Sequence, residues 1–86
     1  MQVFFHKRFE KQFAKLPLRI QIKFKEQLLS FYENPFDPGL RNHPLQGKFI
    51  GHNSIHVTPD VRAIYRSENE ETYLFTTIGS HSELYS

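Results

Sequence analysis

The 86 residues contain no cysteine and carry a formal charge of +2, which excludes a disulfide scaffold and a thiolate metal site. A chain this short buries only roughly 60 to 65% of its unfolded surface, so residues 1–86 are expected to form one domain around one apolar core. No apolar run approaches the roughly 20 residues needed to span a bilayer, and His6, Lys7 and Arg8 stand where a secretion signal is apolar, so a soluble, cytoplasmic protein is expected.

In chain order, Val3, Phe4 and Phe5 form a short apolar run suited to a strand. Phe9, Phe13 and Leu16 then recur as on one helix face, and Pro17 closes that helix. A second helical set follows at Ile20, Phe24, Leu28 and Phe31, and it stops at the proline-bearing loop from Asn34 to Gly39. The two form a helical hairpin whose phenylalanine stripes are read as core. Lys7, Arg8, Lys11, Lys15, Arg19, Lys23 and Lys25 all fall in this first third, a cationic surface that attracts phosphate backbones and acidic proteins equally well.

After the loop the period changes to two. Ile55 and Val57 alternate with Ser54 and His56, and Val61, Ala63 and Tyr65 with Arg62, Ile64 and Arg66. Thr72 to Ile78 is a third strand, joined to the second by the polar stretch Ser67 to Glu71 and ended by Gly79. Successive side chains point to opposite faces, so packing Ile55, Val57, Val61 and Ala63 on the helices turns His56 and Arg62 the other way. The predicted fold is α+β: an N-terminal strand, a two-helix hairpin on a small antiparallel sheet, and a short C-terminal turn or helix.

Three histidines fall on the open face of that sheet or its rims: His43 in the loop, His56 on a strand and His81 after Gly79. Cleavage of RNA by its own 2'-hydroxyl needs a base for that proton, an acid for the departing 5'-oxygen, and positive charge at the phosphate. Imidazoles titrating near pH 6.5 suit the first two tasks. Arg41, Lys48, Arg62 and Arg66 are the candidate phosphate-binding cations. Asp60, which after Pro59 is also a natural turn former, is a candidate to orient a histidine or share its proton. His6 and His52 read as ordinary surface residues. No HExxH, close histidine pair or cysteine is present, so neither a metal nor another cofactor is expected.

The chain resembles toxins of the RelE/ParE superfamily, in the YafQ-like branch of type II toxin–antitoxin systems, nearly end to end. The resemblance rests on the opening helix with Lys15-Leu16-Pro17, on Asn34-Pro35, on Leu40 to Lys48 with His43-Pro44-Leu45, on the strand pair from His56 to Arg66, and on Ile78 to Tyr85. It implies a RelE-like fold and a ribosome-dependent mRNA endonuclease that inhibits translation without a metal. The motif positions of active members correspond to His43, His56, Asp60, His81 and Tyr85. It also implies a cognate antitoxin, messenger RNA in the ribosomal A site, contacts of the basic helices with 16S and 23S rRNA, operator DNA only through the antitoxin complex, and no membrane partner.

Two positions depart from the pattern. Ser54 stands where a carboxylate often precedes the strand histidine, and Thr77 where many relatives place an arginine that holds the scissile phosphate. Arg62, Arg66 or Lys48 takes that arginine's place, or the enzyme is slow, or the protein is not a nuclease. The alternatives are a ParE-like gyrase-poisoning toxin, which needs no histidine set, and a weakly active or noncatalytic homologue that binds antitoxin and, through it, operator DNA.

Overall fold

The computed structural model describes residues 1–85. Strand β1 (Gln2–Phe5) is followed by helices α1 (Lys7–Ala14) and α2 (Leu18–Glu33), then by strands β2 (His43–Pro44), β3 (Asn53–His56), β4 (Val61–Asn69) and β5 (Thr72–Ser80), and helix α3 (His81–Tyr85). Short 3-10 turns at Pro38–Leu40 and Gly47–Phe49 flank β2. No described helix is long and apolar enough to cross a membrane.

Local chemistry sets the helix boundaries. His6 has extended backbone and its Nδ1 accepts the Arg8 N–H at 3.0 Å, so this exposed histidine is the N-cap of α1. Pro17, which has no N–H to lose, occupies the N-cap of α2 and separates the two helices. On α2 the stripe Ile20, Phe24 and Phe31 is buried, and Gln27 holds the intervening position that a purely apolar stripe would fill.

The sheet runs in the order β1-β5-β4-β3-β2. β2 to β5 pair antiparallel as expected, but β1 lies parallel to β5, with Gln2 opposite Thr72 and Phe5 opposite Phe75. The expected antiparallel sheet is therefore mixed. Parallel neighbours need a crossover of a dozen or more residues, and here everything between β1 and β5 forms that crossover.

Phe9, Ile20, Phe24 and Phe31 from the helices pack on Ile55, Val57, Val61, Ala63, Tyr65, Phe75 and Ile78 from the sheet, in one buried cluster. Burying each of the larger apolar side chains among them contributes about 1.5 to 3 kcal/mol. The pairing of β4 with β5 shifts between Ile64↔Thr77 and Tyr65↔Phe75, which leaves Thr76 as an extra residue in a bulge. The bulge returns Phe75 to the helix side while Ile78 also stays there.

Beyond Phe5 no strand among the described residues covers the edge of β5, and α1 covers it instead. His6 N–H donates to Phe75 O, Arg8 Nε to Thr76 O, and Gln12 Oε1 accepts both the Ile78 N–H and the Thr77 hydroxyl at 2.9 Å. Thr77 is thus buried and committed to α1. Gln12→Ala leaves those two donors without that acceptor, so a loss of about 1 to 3 kcal/mol is expected in urea unfolding, with Gln12→Glu retaining most of it at neutral pH. An unchanged midpoint for the alanine variant would refute this edge role.

On the opposite face a second cluster forms from Leu45, Ile64 and Leu84, with Phe49 packed against it. Ile64 points away from the helices, as its alternation with Ala63 and Tyr65 predicts, but Leu45 and Leu84 share a cluster with it and no part of it is open. This small cluster is the floor on which the histidines are mounted.

Candidate active site

His43, Leu45, His56, Arg62, His81 and Tyr85 line one cleft of about 200 Å³ on the face of the sheet away from the helices. Four separate segments deliver them. β2 places His43 opposite Ser54, and β3 and β4 place His56 directly opposite Arg62.

His81 opens α3, where the sequence Ser80-His81-Ser82-Glu83 makes a capping box. The Ser80 hydroxyl accepts the Glu83 N–H at 3.2 Å, and the Glu83 carboxylate accepts the Ser80 N–H at 2.8 Å. Those bonds from Ser80 hold the Glu83 carboxyl below its ordinary range. Gly79 leaves space for that carboxylate, because a Cβ there would lie 3.3 Å from Glu83 Oε1. The His81 N–H donates to Asp60 O at 2.8 Å, tying α3 to the β3–β4 turn. One helical turn on, the Tyr85 ring lies 4.7 Å from the His81 ring and 5.9 Å from Phe49.

The other groups are also held. His43 Nδ1 lies 2.8 Å from Arg41 O, and since a carbonyl only accepts, Nδ1 carries the proton and Nε2 stays available. Arg62 Nη1 donates to Thr58 O and Pro59 O at 3.1 and 2.8 Å, which fixes the guanidinium beside His56. Gln27 Nε2 donates to His56 O at 2.9 Å, so the polar interruption in the α2 stripe supports the strand that carries the histidine. The imidazole of His56 is held below its ordinary value of 6.5 by burial first, then by the charges of Arg62, Arg41 and His43. His56 is therefore neutral at pH 7, with a ring nitrogen able to take a proton.

Not every sequence candidate reaches the cleft. Asp60 is exposed, and its contribution is the backbone carbonyl that receives His81; among the described residues its carboxylate bonds none of the three histidines. Arg66 pairs with Glu68 at 3.1 Å, four positions along β4 from Arg62 and so about 13 Å away. Lys48 lies over the Phe49 ring at 5.4 Å, behind Tyr85, and Arg41 lines the adjoining hollow. Ser54, on the face of His43 and His56, is fully buried with no partner for its hydroxyl among the described residues. His52, expected to be an ordinary surface residue, is half-buried at the edge of Phe49, with no partner for Nδ1 among the described residues. Sequence reasoning did not pick out Gln12, Gln27 and Leu84. The polar residue at a core position of α2 was the available sign for Gln27, whereas Gln12 and Leu84 carried none.

A strand, a helical hairpin and a sheet that carries a histidine cleft on its outer face form the α+β fold shared with YafQ toxins. The profile of the family described as bacterial toxin of type II toxin-antitoxin system, YafQ, matches residues 1–86, and the chain belongs to that family. It is similar to a copper-bound point mutant of a toxin from Helicobacter pylori, at 31% identity and TM-score 0.80, with 99% of each chain covered. YafQ from E. coli strain BL21(DE3) superposes with TM-score 0.82 at 24% identity, over 99% of this chain and 98% of that one. The same fold recurs in the toxin of the E. coli DinJ–YafQ complex, with TM-score 0.73, 24% identity, and 99% and 98% of the two chains covered. No curated protein sequence matches the chain.

Proposed function

We propose that this toxin is a ribosome-dependent mRNA endonuclease that works by metal-independent histidine acid–base chemistry. The observation that carries the reading is the convergence of His43, His56, Arg62, His81 and Tyr85 on one cleft. His56, neutral at pH 7, takes the proton of the RNA 2'-hydroxyl as that oxygen bonds to phosphorus. The bond from phosphorus to the 5'-oxygen breaks, leaving a cyclic phosphate, and His81 protonates the departing oxygen from the other rim. Arg62 offsets the growing phosphate charge, and His43 Nε2 holds a phosphate oxygen when protonated. Tyr85 stacks on a base, a contact worth about 1 to 3 kcal/mol. Asp60 acts through its main chain, as the anchor of α3.

The partners follow the same reading. A cognate antitoxin fits the outer side of α2, where Leu18, Ile22, Leu29 and Tyr32 are exposed among Arg19, Lys23 and Lys25, a surface suited to an acidic amphipathic segment. The basic helices contact rRNA, and operator DNA is bound through the antitoxin. Expression without antitoxin, with RNA 5'-ends mapped on translated messages, tests the class: new ends in frame with codons are expected. Intact messages together with DNA damage would identify a gyrase poison instead, and no growth arrest would identify a noncatalytic homologue.

The state of His56 gives a second test. Because its pKa lies below 6.5 in the fold, cleavage persists as pH falls through 6.5 and the acid limb of kcat/KM lies lower. The same sign makes the stability contributed by neutral His56 complete above pH 6.5 and progressively lost below it, down to the folded pKa. Arg62→Gln removes one cause of the depression, so an NMR titration of His56 should move upward. A His56 titration at or above 6.5 in the parent protein would refute the assignment of the base.

A further inference from the structure

The cleft does not end at His56. On its far side a hollow of about 600 Å³ opens between α2 and the β3–β4 turn, lined by Lys23, Gln27, Arg41 and Thr58 and sharing His56 and Arg62 with the cleft. No carboxylate lines this hollow among the described residues, and three of its side chains are permanent cations.

Size and charge make the two depressions one site. At about 200 Å³ the cleft falls below the roughly 300 to 1,000 Å³ of pockets that enclose a small ligand, whereas the hollow lies within that range. Arg62 stands on the wall they share. Its Nη1 is committed to the carbonyls of Thr58 and Pro59, and the guanidinium has further N–H donors beyond Nη1. Arg41 takes a left-handed conformation, φ 48°, at the end of the Pro38–Leu40 turn, a position that glycine or asparagine ordinarily fills. From that left-handed position Arg41 places its side chain in the lining of the hollow. Lys23 pairs with Glu26 at 3.7 Å on an exposed helix face, a contact weak enough to yield to a stronger anion.

We propose that this hollow is a second nucleotide subsite, in which Lys23 and Arg41 hold the phosphodiester next to the one cut in the cleft, so that the substrate is read as two consecutive phosphates. The nucleotide nature of the ligand rests on the nuclease reading of the cleft. The charge logic of the hollow is independent of it.

The test uses ligands that cannot be cut. A 2'-O-methyl dinucleoside monophosphate and the corresponding trinucleoside diphosphate differ by one phosphate and lack the attacking hydroxyl. The parent protein is expected to bind the longer ligand about tenfold more tightly in calorimetry at low salt, a gain that shrinks as salt rises. In Lys23→Gln/Arg41→Asn the gain disappears and the two ligands bind alike. Asparagine tolerates the left-handed backbone at position 41, and each single variant with its thermal unfolding curve guards against misfolding. Equal binding of the two ligands by the parent, or a gain that survives in the folded double variant, overturns the proposal. A parent that shows the gain but never cuts messages on ribosomes supports the subsite and sinks the nuclease reading.

Discussion

His81→Ala is expected to lower cleavage of translated messages by about 10²- to 10⁴-fold, the typical contribution of a positioned acid or base. The alanine keeps the main-chain N–H that binds Asp60 O, and the Ser80–Glu83 capping box does not involve the ring, so α3 should remain in place. The ring is exposed and its packing partner is Tyr85, so the melting temperature should move little. A large loss of rate without loss of stability separates an acid from a structural residue. His56→Ala should cost a similar factor. The double variant should cost far less than the product, because the base and the acid act in the same transphosphorylation step. If His81→Ala cut messages within a few-fold of the parent, the assignment of the acid would fall.

The parts of the fold visible in the sequence are those set by a regular period. The α2 stripe of Ile20, Phe24 and Phe31 and the alternation from Ile55 to Ala63 gave the helix and strand faces, and that alternation aimed His56 and Arg62 into the cleft. What the period could not supply is pairing between distant segments. β1 meets β5 across the whole chain, and nothing in Val3-Phe4-Phe5 tells a parallel partner from an antiparallel one. The interval from Phe75 to Ile78 is three rather than two, the local trace of the Thr76 bulge, and a strict alternation misses it.

For the site, residue type identified the imidazoles, and a capping box at Ser80 and Glu83 was present in the sequence to fix where His81 begins its helix. The cations were harder. Arg66 has the same type and strand face as Arg62, yet two residues along a strand face carry it out of reach, to Glu68. Asp60 belonged to the motif by type, and it serves through an atom that every residue possesses, the backbone carbonyl. Thr77, where the resemblance implies an arginine, is committed to the fold instead: its hydroxyl donates to Gln12 Oε1 at the edge of β5. Arg62 is the guanidinium that lines the cleft itself, while Arg41 lines the hollow beside it.

Phe75→Ala should be the most damaging substitution for the fold. Its ring is fully buried, with the rings of Phe31 and Tyr65 at 5.4 Å, Phe24 at 5.7 Å, Phe5 at 5.8 Å and Phe9 at 5.9 Å, so it joins β1, both long helices and β4 at one point. Truncating a buried phenylalanine costs about 3 to 5 kcal/mol, against a total stability of about 5 to 15 kcal/mol for a single domain. At about 4 to 8 °C per kcal/mol the melting temperature should fall by at least about 12 °C. Phe36→Ala provides the contrast. That ring is 66% exposed in the loop after α2, and its removal should shift stability by less than about 0.5 kcal/mol. Because β5 runs from Phe75 through the bulge to Ser80 and the start of α3, loosening it also loosens the mount of His81. Calorimetric unfolding of the two variants decides the matter: similar melting temperatures would mean that the aromatic cluster around Phe75 is not what holds the cleft in shape.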